Sequence, residues 1–204
     1  MALSGSAFVA VVDTETTGLY PSRDRLVEIA VVLLEVETAT GRLLRTLDAY
    51  QELNDPGMPI PAIATSIHGI TDAMVRGRRI DPARVAALLA RADLVVAHNS
   101  GFDKGFVRQV MPQADALVWG CSCRGIPWRR LHPALESTRL QHLAERLRIP
   151  SGTAHRAMGD VETTINLVLL PDAEGNAHLL HLITRKLVPP RAPRNLKTRP
   201  PEQP

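Results

Sequence analysis

Three strand-like runs in succession, at residues 8–12, 26–37 and 43–52, constrain this chain more than any other feature. They are rich in Val, Ile and Leu and are closed by turn-forming residues: Gly18, Pro21 and Ser22, then Thr38-Ala39-Thr40-Gly41, then a loop at 54–61 with three prolines. A short helical turn is predicted over 61–66. From residue 81 the pattern alternates. Asp81 and Pro82 open a helix to residue 91, as N-cap and first helical position. A strand at 94–97, a helix at 104–111 and a strand at 117–121 follow. Residues 139–148 are helical, with Leu140, Leu143, Ala144 and Leu147 on one side. A long helix covers 154–170 and a last one 177–187. Strands in succession and then in alternation with helices predict an α/β fold, its five-stranded central sheet of mixed direction and flanked by helices.

A chain of 204 residues fits one domain with a sizeable core. Aromatic residues make up only 3%, so the core must be built from Leu, Val, Ile and Ala. No run of 18 or more apolar residues occurs, and no positive region precedes the apolar residues at the start, so neither a membrane span nor a secretion signal is expected. Cys121 and Cys123, the only cysteines, form a C-x-C pair with poor disulfide geometry; the expected compartment is reducing and cytoplasmic. The last twenty residues carry six basic side chains against Glu202, so the chain's +3 leaves the first 184 residues at −2. The expected division is a folded domain at 1–188 and a basic, Pro-rich, disordered tail at 189–204. Such a tail either grips a phosphate backbone or is simply solvated.

Four carboxylates and a histidine stand out. Asp13 and Glu15, in Val11-Val12-Asp13-Thr14-Glu15-Thr16-Thr17-Gly18, are two apart and share one face of a strand. Side by side they repel unless a cation sits between them, and hard oxygen donors suit Mg²⁺ or Mn²⁺. Asp103, in His98-Asn99-Ser100-Gly101-Phe102-Asp103, falls in the first turn of a helix that follows a strand. His155 and Asp160, in His155-Arg156-Ala157-Met158-Gly159-Asp160, are about 500° apart on a regular helix. Both reach one site if His155 lies in the loop just before the helix. Imidazole is the residue type suited to take a proton from water. Together these groups suit cleavage of a phosphodiester by two divalent cations.

The order D-x-E, H-N-x-x-F-D, H-R-A-x-x-D over residues 7–170 resembles the DnaQ-like 3′–5′ exonucleases of the DEDDh class, relatives of proofreading epsilon subunits, RNase T and oligoribonuclease. The resemblance implies an RNase H-like fold. It implies that Asp13, Glu15, Asp103 and Asp160 hold two Mg²⁺ or Mn²⁺ ions and that His155 activates water. It also implies that 5′-nucleoside monophosphates leave from a 3′ end. Thr14, Thr16 and Leu19, with His68 in Ile67-His68-Gly69-Ile70-Thr71, match substrate contacts of the family. His98 and Asn99 either contact substrate or tie strand to helix, and Phe102 either stacks near a base or packs in the core.

The implied partner is nucleic acid, with DNA at single-stranded or frayed 3′ ends favoured over RNA. A DNA polymerase and a second copy of the chain, as homodimer, are the protein partners the family allows. Trimming of RNA ends or short oligoribonucleotides is the alternative activity, and a catalytically silent binding scaffold is a lower one. Residues 119–128 carry both cysteines but lack the spacing of a zinc site; a buried strand followed by an exposed loop is expected there, with Arg124, Arg129 and Arg130 available to phosphates.

Overall fold

The computed structural model describes residues 5–187. The expected boundary at 188 and the tail at 189–204 lie outside the described residues. Five strands form one sheet: β1 (Ser6–Thr16), β2 (Leu26–Glu37), β3 (Leu43–Leu53), β4 (Leu94–Ala97) and β5 (Trp119–Cys121). Their order is β3-β2-β1-β4-β5. The consecutive strands β1, β2 and β3 pair antiparallel, whereas β4 and β5 join parallel to β1. This is the mixed five-stranded sheet expected from the sequence.

Nine helices among the described residues flank it: α1 (Ala62–His68), α2 (Asp72–Val75), α3 (Pro82–Leu89), α4 (Ser100–Val107), α5 (Ser122–Gly125), α6 (Trp128–Leu131), α7 (Leu140–Arg146), α8 (Ala157–Leu169) and α9 (Leu180–Lys186). Alternation along β1 separates two cores. Val9 and Val11 face the layer of α8 and α9 with Leu94, Leu167 and Leu182. Ala10 and Val12 face α3 and α4 with Val85, Leu88 and Phe106. A smaller cluster of Val27, Ile60, Ala64, Ile70 and Val75 seats α1 and α2 at one end of the sheet. Asp81 caps α3 as expected, its carboxylate accepting from the amides of Ala83 and Arg84. Among the described residues no helix is long and apolar enough to cross a membrane.

Four expectations shift. β1 does not stop near Val12 but runs to Thr16, because pairing with β2 continues through both acids; Asp13 is therefore not at its end. The helix expected at 104–111 begins at Ser100, directly after Asn99 turns the chain at φ 75°. The helix expected from 154 begins at Ala157, because His155 takes φ 57° and Arg156 is extended. The exposed loop expected beyond Cys121 instead holds two short helices, and Ile126 and Trp128 are buried in the α8 core, with the Trp128 indole donating to the carbonyl of Ser122 at 2.7 Å.

Candidate active site

The odd residues of β1 that enter the α8 core as valines emerge at the far end of the strand as Asp13 and Glu15. Two helices bring acids to them. Asp103 sits in the first turn of α4, 2% exposed, and accepts a hydrogen bond from the Thr14 hydroxyl at 2.9 Å. Asp160 sits in the first turn of α8; it accepts from the Gln141 side-chain amide at 2.8 Å and from the His155 backbone amide at 3.2 Å. The last bond holds His155 in the loop before the helix, the position from which His155 and Asp160 can both reach one site. One ligand atom each from Glu15, His155 and Asp160 lies within 4.8 Å of the others. Asp13 and Asp103 stand outside that trio but are coupled to it through space.

Electrostatics tests whether cations fit. Burial, then the charges of Asp103, Asp160 and Glu15, push the Asp13 carboxyl well above its usual range. Burial and the charge of Asp160 push Glu15 to about 8. Burial lifts Asp103 to about 7 against the bond from Thr14, and burial also raises Asp160. Four carboxyls that cannot all ionise comfortably, presenting only oxygen donors beside one imidazole, form a site that hard divalent cations would complete.

Two clefts meet at this cluster. One, of about 300 Å³, is apolar and brings together Thr14, Thr16, Leu19, His68 and Phe102, with Ile63 and Ile67 of α1 on its wall. His68 is buried; its Nδ1 accepts from the amide of Ile70 at 3.0 Å, and burial lowers its pKa against a hydrogen bond with the backbone of Thr16. Gly69 closes α1 just beyond it, at φ 71°, a conformation glycine adopts without strain. Phe102 lines the cleft, and its ring packs 5.0 Å from that of Phe106.

The other cleft, of about 510 Å³, is bounded by His98, Asn99, Arg124, Arg139, His155 and Asp160. His98 ties strand to loop. The carbonyl of Thr138 can only accept, so His98 Nε2 donates to it at 2.8 Å and Nδ1 accepts from the Ser122 hydroxyl at 2.9 Å. Asn99 accepts from Arg124 at 2.9 Å. Of the other two arginines expected near phosphates, Arg129 donates to the carbonyl of Glu136, and neither Arg129 nor Arg130 lines this cleft.

Sequence reasoning missed Gln141 and Glu28. Gln141 carries no signal in one sequence. Glu28 does: it interrupts the apolar run Leu26-Val27-Glu28-Ile29-Ala30-Val31, and a lone charge inside a buried strand must find a partner. It is fully buried and its partner is Arg156.

Known proteins define the class. A family model described as Exonuclease (RNase T) matches residues 10–168. The DNA polymerase III subunit epsilon-like protein of Rhodobacter capsulatus is 35% identical over 183 residues, covering 79% of this chain and 23% of the relative. The PolC-type DNA polymerase III of Listeria innocua serovar 6a is 32% identical over 180 residues, covering 82% of this chain and 12% of the relative. The chain thus spans a quarter or less of the curated relatives it matches. A solved exonuclease X in complex with 5′-overhanging duplex DNA superposes with a TM-score of 0.56 at 26% identity, covering 87% of this chain and 91% of that one. The fold is RNase H-like. The chain belongs to the exonuclease family, within its DnaQ-like DEDDh branch.

Proposed function

We propose that this protein is a metal-dependent 3′–5′ exonuclease that removes 5′-nucleoside monophosphates from single-stranded or frayed DNA ends. The observation that carries the reading is the meeting of an apolar cleft and an arginine-bearing cleft at one cluster of carboxyls. Asp13, Glu15, Asp103 and Asp160 would hold two Mg²⁺ or Mn²⁺ ions, which when bound supply Lewis acidity at the phosphate and a more acidic water.

The chain's own groups do the rest. The apolar cleft takes the terminal nucleoside, with Leu19, Ile63 and Ile67 against the base and His68 in the wall beside it. Arg124 and Arg139 face the backbone of the strand behind it. His155, exposed at the mouth between the clefts, accepts the proton of the attacking water at its imidazole. DNA is favoured because the relatives are named for DNA polymerase III and exonuclease X was solved with DNA. The same names motivate a DNA polymerase as protein partner.

The test uses matched 5′-labelled single-stranded DNA and RNA with Mg²⁺, with Mn²⁺ and with chelator. A metal-dependent ladder shortening from the 3′ end, faster on DNA, is expected. A faster RNA ladder reverses the substrate, and no ladder with folded protein and metal overturns the activity.

A further inference from the structure

We propose that Glu28 and Arg156 form a buried latch that sets the positions of His155 and Asp160, so that Glu28 is a positioning residue for the reaction without being a ligand. This rests on the reading of the site given above.

Glu28 lies near the start of β2, between β1 and β3, and is fully buried, where an unpaired carboxylate would be costly. Four donors satisfy it. Its Oε1 accepts from Arg156 Nη2 at 2.7 Å and from the Gln51 side-chain amide at 2.8 Å. Its Oε2 accepts from Arg156 Nε at 3.1 Å and from the backbone amide of Ala157 at 2.9 Å. The acceptor capacity of the carboxylate is used, so it has no oxygen left over for a cation. The Arg156 fork is used too, in the paired geometry that fixes a guanidinium in both direction and distance.

The fourth donor gives the latch its reach. Ala157 is the first residue of α8, and its amide is one of the orphan donors of a helix start. The N-cap residue, Arg156, makes no side-chain capping bond, so Glu28 caps the helix from another strand. The register pairs Glu28 with Glu15, which pins the start of α8 level with the acid it must face. Asp160 lies one turn further on, its amide bonded to the carbonyl of Arg156 at 3.0 Å. His155 lies one residue before, at φ 57°, a conformation that a non-glycine residue keeps only when its surroundings hold it there. Arg156 therefore sits between the two groups whose placement matters, and Glu28 holds Arg156.

The test compares Glu28→Gln, and the double variant Glu28→Gln with Arg156→Gln, which leaves no buried charge unpaired and so keeps folding out of question. Three readouts are taken: amide exchange at Ala157 in metal-free protein, Mn²⁺ affinity by electron paramagnetic resonance, and kcat and KM on single-stranded DNA. The latch predicts faster exchange at Ala157, and a fall of about 10- to 100-fold in Mn²⁺ affinity or kcat with KM almost unmoved. Folded variants with wild-type Mn²⁺ affinity and kcat overturn it and leave the exonuclease reading standing. If the wild-type protein shows no nuclease activity, exchange and Mn²⁺ affinity still decide: unchanged values overturn the latch, and changed values sustain it.

Discussion

Glu15 and Glu28 face each other across the β1–β2 pair, yet their carboxyls are driven in opposite directions. Burial and the charge of Asp160 lift Glu15 to about 8. Glu28 is held below its ordinary value, because the bonds from Arg156, Ala157 and Gln51 outweigh its burial. Like charges directly opposite on a sheet repel. Here one of the pair is neutralised by protein, and the other is left for a partner the protein does not supply.

That asymmetry predicts how stability depends on pH. Glu15 has a raised pKa in the folded state, so its contribution is complete below the ordinary value of 4.5 and is lost as pH rises through about 8. Asp103, raised to about 7, acts in the same sense. Glu28 acts in the opposite sense: its contribution is present above the ordinary carboxylate range and is lost as pH falls through its lowered value. In chelator, the Tm should therefore fall between about pH 5.5 and pH 8.5, and Mg²⁺ or Mn²⁺ should raise Tm more at the higher pH. Scanning fluorimetry with and without metal at the two pH values measures both. A metal increment that does not grow with pH would detach the raised carboxyls from cation binding.

His155→Ala separates base from ligand. His155 is exposed and is fixed to Asp160 only through its backbone amide, so removing the imidazole leaves Asp160 and its bond from Gln141 in place. Turnover should fall by about 10²- to 10⁴-fold, with Mn²⁺ affinity unchanged. Because its imidazole lies within 4.8 Å of ligand atoms of Glu15 and Asp160, an equal loss of Mn²⁺ affinity would make it a ligand instead.

The parts of this protein legible in one sequence are those set by local period and chain order. The five strands and the capping of α3 by Asp81 follow from patterns a few residues long, whereas the helix read from residue 154 hides the loop position of His155. What the side chains touch does not. Glu28 and Arg156 are 128 positions apart, and only the closed sheet shows that the one fully buried charge of β2 is answered by the residue after His155. The apolar run of β1 ends at the acids, but backbone pairing does not depend on side-chain polarity and carries the strand on through them. The region after Cys121 looked exposed because Arg124, Arg129 and Arg130 flank Ile126 and Trp128, and alternation that short cannot say which residues face the core.

Gly159 lies within the motif that carries His155 and Asp160, and its missing side chain has a steric reason. A Cβ there would collide with the Thr153 carbonyl oxygen and lie 2.6 Å from the Thr153 nitrogen, both backbone atoms that cannot swing aside. The loop bearing His155 packs directly on α8 at this point. Gly159→Ala should cost about 1–3 kcal/mol of stability through overpacking and lower turnover as the loop is pushed outward. Gly101→Ala is the control: a Cβ there meets nothing within 4 Å, so the change in a helix should be neutral or stabilising by up to about 1 kcal/mol. Denaturant unfolding of the two variants decides. Equal stability would place Thr153 further from α8 than the geometry has it.

The apolar cleft gives a prediction about binding rather than chemistry. Ile63 and Ile67 stand one turn apart on α1 and are 75% and 55% exposed, and Leu19 across the cleft is 71% exposed. Three large apolar side chains gathered in the open contribute little to the fold and are what a nucleobase would cover. Ile67→Ser should leave stability within about 0.5 kcal/mol, as surface substitutions do. Burying such a side chain against a ligand is worth about 1.5–3 kcal/mol, so KM for a short oligonucleotide should rise at least about tenfold while kcat stays within a factor of about two. Steady-state kinetics on a short single-stranded substrate reads both parameters. A fall in kcat at constant KM would mean that the cleft grips the nucleotide only as the bond breaks. No change in either would move the terminal base to the cleft of Arg124 and Arg139.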